Sequence, residues 1–260
     1  MSAFDSLRKE GTKDAGMVPE GAAGWRYSWD RYLFGALLAG ALAWLVATGA
    51  GKELWRGYWA QRHLQMGKDA LANADLERAE TEFQAARNLA PARVEADAQI
   101  ALLYLEAQMP EAALPYTRAA VASCRDALLI ALLGDVWLRL GHEKEAQTAF
   151  DRALLLQPQN PDVLNVVGYS YAVAGKRLEY AESLLKQALA GRPRAPEIVD
   201  SLGWVYFKMG RYAEAVRLLE RAARGMPNHP EIVGHLRLAR RALREEQARQ
   251  RQAQPNGADG

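Results

Sequence analysis

The chain has 260 residues, 50% hydrophobic and 25% charged, the balance of an ordinary folded protein rather than a disordered or low-complexity one. Its 33 Lys and Arg against 31 Asp and Glu leave a net charge of +2, which gives no global reason to expect a nucleic acid as partner. The single cysteine, Cys124, excludes an internal disulfide framework and any cysteine-based zinc site.

Charge divides the chain. Residues 1–31 form a polar tail with five basic and five acidic side chains, and residues 32–51, YLFGALLAGALAWLVATGAG, carry no charge. As a helix this run would be about 30 Å long, the thickness of a bilayer's hydrocarbon core. Trp25, Tyr27, Trp29 and Tyr32 gather at its start and Trp55, Tyr58 and Trp59 follow its end, as interfacial aromatic belts do. The run therefore reads as a retained transmembrane helix, followed by a juxtamembrane connector at 52–59. A cleaved signal peptide and a buried core helix are the competing readings. The mixed-charge residues ahead of the run count against the first, and 20 residues without a charge count against the second. Gly35, Ala39, Ala43, Ala47 and Gly51 recur at every fourth position on one face, a stripe that would let a second helix pack closely in a membrane. An Ala/Gly-rich span also produces such a stripe by chance.

From residue 60 the sequence repeats. Pro91, Pro158, Pro193 and Pro227 are separated by 67, 35 and 34 residues, a period that marks a repeat architecture. Aligned on these prolines, five units share a small residue at position 8, an aromatic usually at 11, alanine at 20 and 27 and a bulky residue at 24. Unit one (60–93) supplies Gly67, Ala79, Phe83, Ala86 and Pro91. Unit two (94–126), one residue short, supplies Ala101, Tyr104, Ala112, Tyr116 and Ala119, with Cys124 in place of the proline. Unit three (127–160) supplies Gly134, Trp137, Ala146, Phe150, Ala153 and Pro158. Unit four (161–195), one residue long, supplies Gly168, Tyr171, Ala181, Leu185, Ala188 and Pro193. Unit five (196–229) supplies Gly203, Tyr206, Ala215, Leu219, Ala222 and Pro227.

On these residues the chain resembles the tetratricopeptide repeat family, whose pattern W-x2-L-G-x2-Y, then A-x3-F, A and P, covers residues 60–229. The departure is the first tryptophan, replaced by His63, Asp97, Ile130, Leu164 and Val199; the polar pair His63 and Asp97 predicts an irregular first half. Each unit reads as helix A, a turn and helix B, with the small residues allowing close helix approach. Proline at 32 closes helix B, and Pro161, Pro196 and Pro230 open the next helices at the first-turn position. No unit can bury its apolar face alone, so the predicted fold is all-α: a stacked solenoid preceded by one transmembrane helix. Residues 230–251 read as a polar capping helix and 252–260 as a disordered tail. Unit two, missing a residue in its turn and its closing proline, is expected to loosen the stack.

No catalytic constellation emerges, so the chain reads as a non-enzyme with no cofactor and no metal. HEKEA at 142–146 lacks a second histidine at zinc-protease spacing. Asp200, Ser201 and His235 come from different helices, with nothing to supply an oxyanion hole. What the family resemblance implies is a concave groove lined by helices A. Its lining would include Asp135 and Arg139 of unit three, Asn165 and Tyr169 of unit four, and Asp200, Trp204, Phe207 and Lys208 of unit five, with His235 added by the cap. The rings of Tyr169 and Trp204, beside Asn165 and Asp200, would suit a bound polypeptide; the alternative is that they pack against the next helix A. The carboxylate clamp of the family's chaperone-binding members is absent, its positions holding Leu64, Lys68, Gln99, Leu128 and Leu132. The basic face of Arg237, Arg240, Arg241 and Arg244 reads as a solvated cap end.

The expectation from sequence is a single-pass membrane scaffold that binds a protein or peptide partner, with no nucleic acid. It is similar to envelope proteins in which an anchored repeat domain holds subunits during assembly. The rival readings are a permanent subunit of a membrane complex, held through its transmembrane helix as well, and an exported adaptor released by signal cleavage. Arg26 and Arg31 before the run and Lys52, Arg56 and Arg62 after it do not orient the helix. A signal anchor in a bacterial inner membrane, with the repeats in the periplasm, is the expected topology.

Overall fold

The computed structural model describes Gly40 and residues 49–253. The described residues form eleven helices and no strand: α1 (Ala50–Ala72), α2 (Leu76–Leu89), α3 (Arg93–Glu106), α4 (Pro110–Ser123), α5 (Ala127–Arg139), α6 (Glu143–Leu156), α7 (Pro161–Ala174), α8 (Leu178–Gly191), α9 (Pro196–Lys208), α10 (Tyr212–Gly225) and α11 (Pro230–Ala253). Contacts divide the chain into two units, Met1–Tyr58 and Trp59–Gly260. In the first, Gly49 sits at φ +71° and its carbonyl accepts from Lys52 and Glu53 as α1 begins. The segment 52–59, read as a connector, is helical.

Among the described residues no helix is long and apolar enough to cross a membrane. This overturns the expected inner-membrane location with periplasmic repeats. Gly51, read as the last residue of an apolar span, instead lies in the first turn of α1. That helix carries Lys52, Glu53, Arg56, Arg62, Lys68 and Asp69, charges whose desolvation in hydrocarbon would be costly. Gly35, Ala39, Ala43 and Ala47, with the tail 1–31 and residues 254–260, lie outside the described residues.

In the second unit the helices pair as predicted from the period, A with B, and each A–B turn is built the same way. The amide that ends the turn reaches back to a carbonyl five residues earlier: Asp75 to Ala70, Met109 to Tyr104, His142 to Trp137, Lys176 to Tyr171 and Arg211 to Tyr206, all 2.8–2.9 Å. This is a Schellman closure, which requires one left-handed residue. Gly141, Gly175 and Gly210 provide it in units three to five; Ala74 and Gln108 are forced into it in units one and two, at φ +58° and +59°. The extra residue of unit four is Arg177. It follows the closure, itself at φ +49°, and its guanidinium lies over the rings of Tyr171 and Tyr180.

Helix A meets helix B at position 8. A Cβ added at Gly134 would stand 2.5 Å from the Phe150 ring, at Gly168 2.7 Å from Leu185 Cγ, and at Gly203 2.8 Å from Leu219 Cγ. Glycine here is a packing requirement. Unit two places Ala101 at this position, and its helix B buries Ala113, Thr117 and Ala120 at the four- and three-residue spacing of the other units, with Tyr116 buried beside them. The alignment on Ala112, Tyr116 and Ala119 is thus off by one. The bulky position holds a small threonine, which makes room for the Ala101 methyl. The A–B turn of unit two is intact, and the missing residue is lost from the three-residue loop 124–126. There Asp126 caps the start of α5, accepting from the Leu128 and Leu129 amides at 2.8 and 3.0 Å.

Units one and two are regular despite their polar residues at the tryptophan position, because both are paired. His63 Nδ1 lies 2.6 Å from Glu82, and Arg87 forks onto the buried Asp97 carboxylate at 2.5 and 3.3 Å. Successive units are also linked through tyrosine at position 11. Tyr104 donates to Glu80 on the preceding helix B at 2.6 Å, and Tyr206 to Glu182 at 3.0 Å. The buried side chains form two large clusters that meet on α5. Leu132 and Val136 belong to the cluster of units one and two, and Ile130, Ala131 and Leu138 to that of units three to five.

Candidate functional site

Helices α5, α7 and α9 pack side by side as the A helices of units three to five, with α11 following α9. Each turns its positions 5, 9 and 13 to one face, where polar groups alternate with apolar ones. On this face lies a cavity of about 610 Å³ whose walls include Leu132, Asp135, Arg139, Asn165, Tyr169 and Glu231. Apolar surface remains open beside it, with Leu102 and Leu128 both exposed.

The sequence-predicted residues fall into two groups. Asp135, Arg139, Asn165 and Tyr169 line the cavity. Asp135 is only 6% exposed; Arg139 Nε donates to its Oδ2 at 2.9 Å, the nearby Ser170 hydroxyl donates to the Val166 carbonyl at 2.8 Å, and among the described residues Oδ1 is left without a partner. Asn165 is half-buried, and its Oδ1 is likewise without a partner. The half-buried Tyr169 donates its hydroxyl to Glu231 at the start of α11. Burial and this carboxylate push its pKa far up, so it stays a donor.

Asp200, Trp204, Phe207 and Lys208 form a second cluster around the cap helix. The Trp204 ring is stacked between Phe207 (centroids 4.7 Å, 11°) and His235 (4.1 Å, 17°), with the Lys208 ammonium 5.3 Å above its centroid. His235 Nδ1 lies 2.9 Å from Asp200 Oδ2; because a carboxylate only accepts, the ring nitrogen donates. Asp200 is 5% exposed. Packing of Trp204 against the next helix A, the alternative left open by spacing alone, is what its ring does here. The neighbouring Ser201 hydroxyl donates to the Glu197 carbonyl of its own helix at 2.9 Å, so Asp200 and His235 are a pair and not part of a triad.

Sequence reasoning missed His229, which enters the cavity from the loop before α11, Glu231 in the first turn of α11, and Lys68 and Glu106, which reach it from α1 and α3. Lys68 and Glu106 form an ion pair at 3.4 Å. The Pro230 signal at the start of the cap helix placed the helix but carried no information about the side chains on either side of it.

Burial raises the Asp135 carboxyl above the ordinary 3.8, with the Arg139 guanidinium and the Ser170 hydroxyl only partly offsetting it. The folded chain therefore holds this proton more tightly than the unfolded chain. By linkage, Asp135 makes stability fall as pH rises from 3.8 through its raised native value. Asp135→Asn should remove this component, so that variant and parent diverge as pH rises through that window, the variant relatively gaining. Urea midpoints measured across the acid range to neutrality check it; parallel curves would show that Asp135 is not held protonated.

Residues 172–245 match the sequence profile of the Tetratricopeptide repeat family. A TPR repeat-containing protein of Pseudomonas aeruginosa is 36% identical over 80 residues, 31% of this chain and 13% of that protein's length. A crystal structure of a thermophilic TPR protein from Thermus thermophilus superposes with a TM-score of 0.54 at 26% identity, covering 69% of this chain and 98% of that one. The helix pairs thus share the all-helical repeat fold of that TPR protein.

Proposed function

We propose that the chain is a non-enzymatic interaction scaffold that holds a partner polypeptide against the inner face of units three to five. The observation that carries this reading is the 610 Å³ cavity on the A-helix face, which joins exposed apolar surface to buried polar atoms without partners. A pre-formed concavity of this kind, mainly apolar with a few convergent polar groups, is what a ligand site requires. Asp135, Arg139, Asn165 and Tyr169 would contact the partner within the cavity. Phe207 and Lys208 would extend the surface, and Asp200 and Trp204 would shape its far end through His235.

The test is site-specific photocrosslinking in the host cell. A photoreactive residue at Val173, in the cavity wall, should capture a discrete partner, whereas one at Leu155, 83% exposed on helix B, should not. Arg139→Ala combined with Asn165→Ala should weaken capture about tenfold or more, with helicity unchanged. Capture from Leu155 alone would move the binding surface to the outer face and end this reading.

A further inference from the structure

We propose, resting on the reading that the inner face holds a polypeptide, that its cavity is built to receive one cationic side chain, a lysine or arginine of the bound chain. Among the described residues five buried side-chain polar atoms lack a hydrogen-bond partner. Three of them, Asp135 Oδ1, Asn165 Oδ1 and His229 Nδ1, belong to residues lining this one cavity. Such atoms are uncommon in folded proteins, and each calls for an explanation. Their gathering in one concavity is explained if a ligand supplies the missing partners.

The first two atoms are oxygens that accept, so the ligand must donate. The ionisable side chains of the wall fix its charge. Lys68 and Arg139 stand against Glu106, Glu231 and, once an incoming cation draws off the proton that burial favours on Asp135, the Asp135 carboxylate, one negative charge in excess. Lys68 is paired with Glu106 and Arg139 with Asp135 Oδ2. Among the described residues Glu231 receives the neutral Tyr169 hydroxyl and no cation. One incoming cation balances the wall and satisfies the oxygens together. An acidic side chain would be repelled, and an apolar one would leave the oxygens buried and unpaired. Leu102, Leu132, Val166 and Val173 in the same wall offer apolar surface along which the aliphatic stem of lysine or arginine can lie while its head reaches the carboxylate.

The probes are fluorescein-labelled peptide pools with degenerate uncharged flanks and one fixed central residue: Lys, Arg, Gln, Leu or Glu. Titrated into the full chain and read by anisotropy, the Lys and Arg pools should bind roughly tenfold or more tighter than the others. Asp135→Asn should erase most of that preference, and Glu231→Gln, at an exposed residue whose loss of charge does not threaten folding, should reduce it. Preference for Leu or Glu, or a Lys preference that survives both variants, overturns the cationic occupant while leaving the groove intact. Binding that is equal for all pools and unaffected by Val173→Trp, which obstructs the cavity, overturns the groove reading as well.

Discussion

Replacing Phe150 with alanine is expected to lower the unfolding free energy by about 3–5 kcal/mol, the cost of emptying a buried aromatic site. Phe150 is 1% exposed and its ring occupies the notch left by Gly134, against which even a methyl would stand 2.5 Å away. The ring also meets Tyr171 of the next unit at 5.2 Å between centroids. Its loss opens space both within unit three and at the junction with unit four, where regular helices have little freedom to collapse. The equivalent residue of unit two is Thr117, so Thr117→Ala should lose no more than about 2 kcal/mol, because fewer atoms are removed. Chemical denaturation of both variants checks the pair of values. A loss below about 1 kcal/mol for Phe150→Ala would mean that the helices close over the site and that the notch is not what fixes their approach.

His235→Leu is expected to cost about 3 kcal/mol, although leucine is apolar and similar in size, because it leaves the nearly buried Asp200 carboxylate without its partner. Asp200 Oδ1 is already unpartnered, so the substitution would strand both oxygens. The double variant His235→Leu with Asp200→Leu should recover much of that loss, since removing both members of a buried pair is far milder than removing one. The mutant cycle reads the coupling directly, and tryptophan emission should report release of Trp204 from its stack. Additive losses would show that His235 acts by packing on Trp204 and not by holding Asp200.

The repeat pattern was legible for a physical reason. Close approach of two helices demands a residue of a certain size at a fixed position, so Gly134, Gly168 and Gly203 and their partners Phe150, Leu185 and Leu219 announce themselves every 34 or 35 residues. Unit two misled the alignment where size was traded. Ala101 stands where other units have glycine and Thr117 where they have phenylalanine or leucine, while the aromatic Tyr116 beside it, also buried, matches the bulky position by size. The irregularity expected from His63 and Asp97 did not follow, because Glu82 and Arg87 on the neighbouring helix pair with them. The membrane reading rested on an apolar composition; the helix described at the end of that run starts anew at Ala50 and is highly charged.

The sequence by itself determined the helix pairs and their order, because those follow from local periodicity and from side-chain volume at repeating positions. Only the family resemblance implied an inner face that carries Asp135, Asn165, Tyr169 and Trp204. Only the tertiary structure decided which of them stand in the cavity and which are committed to the cap. Hydrogen bonds such as Asp200 with His235, 35 residues apart, depend on the direction of side chains across a helix interface. Spacing along the chain carries no record of that direction.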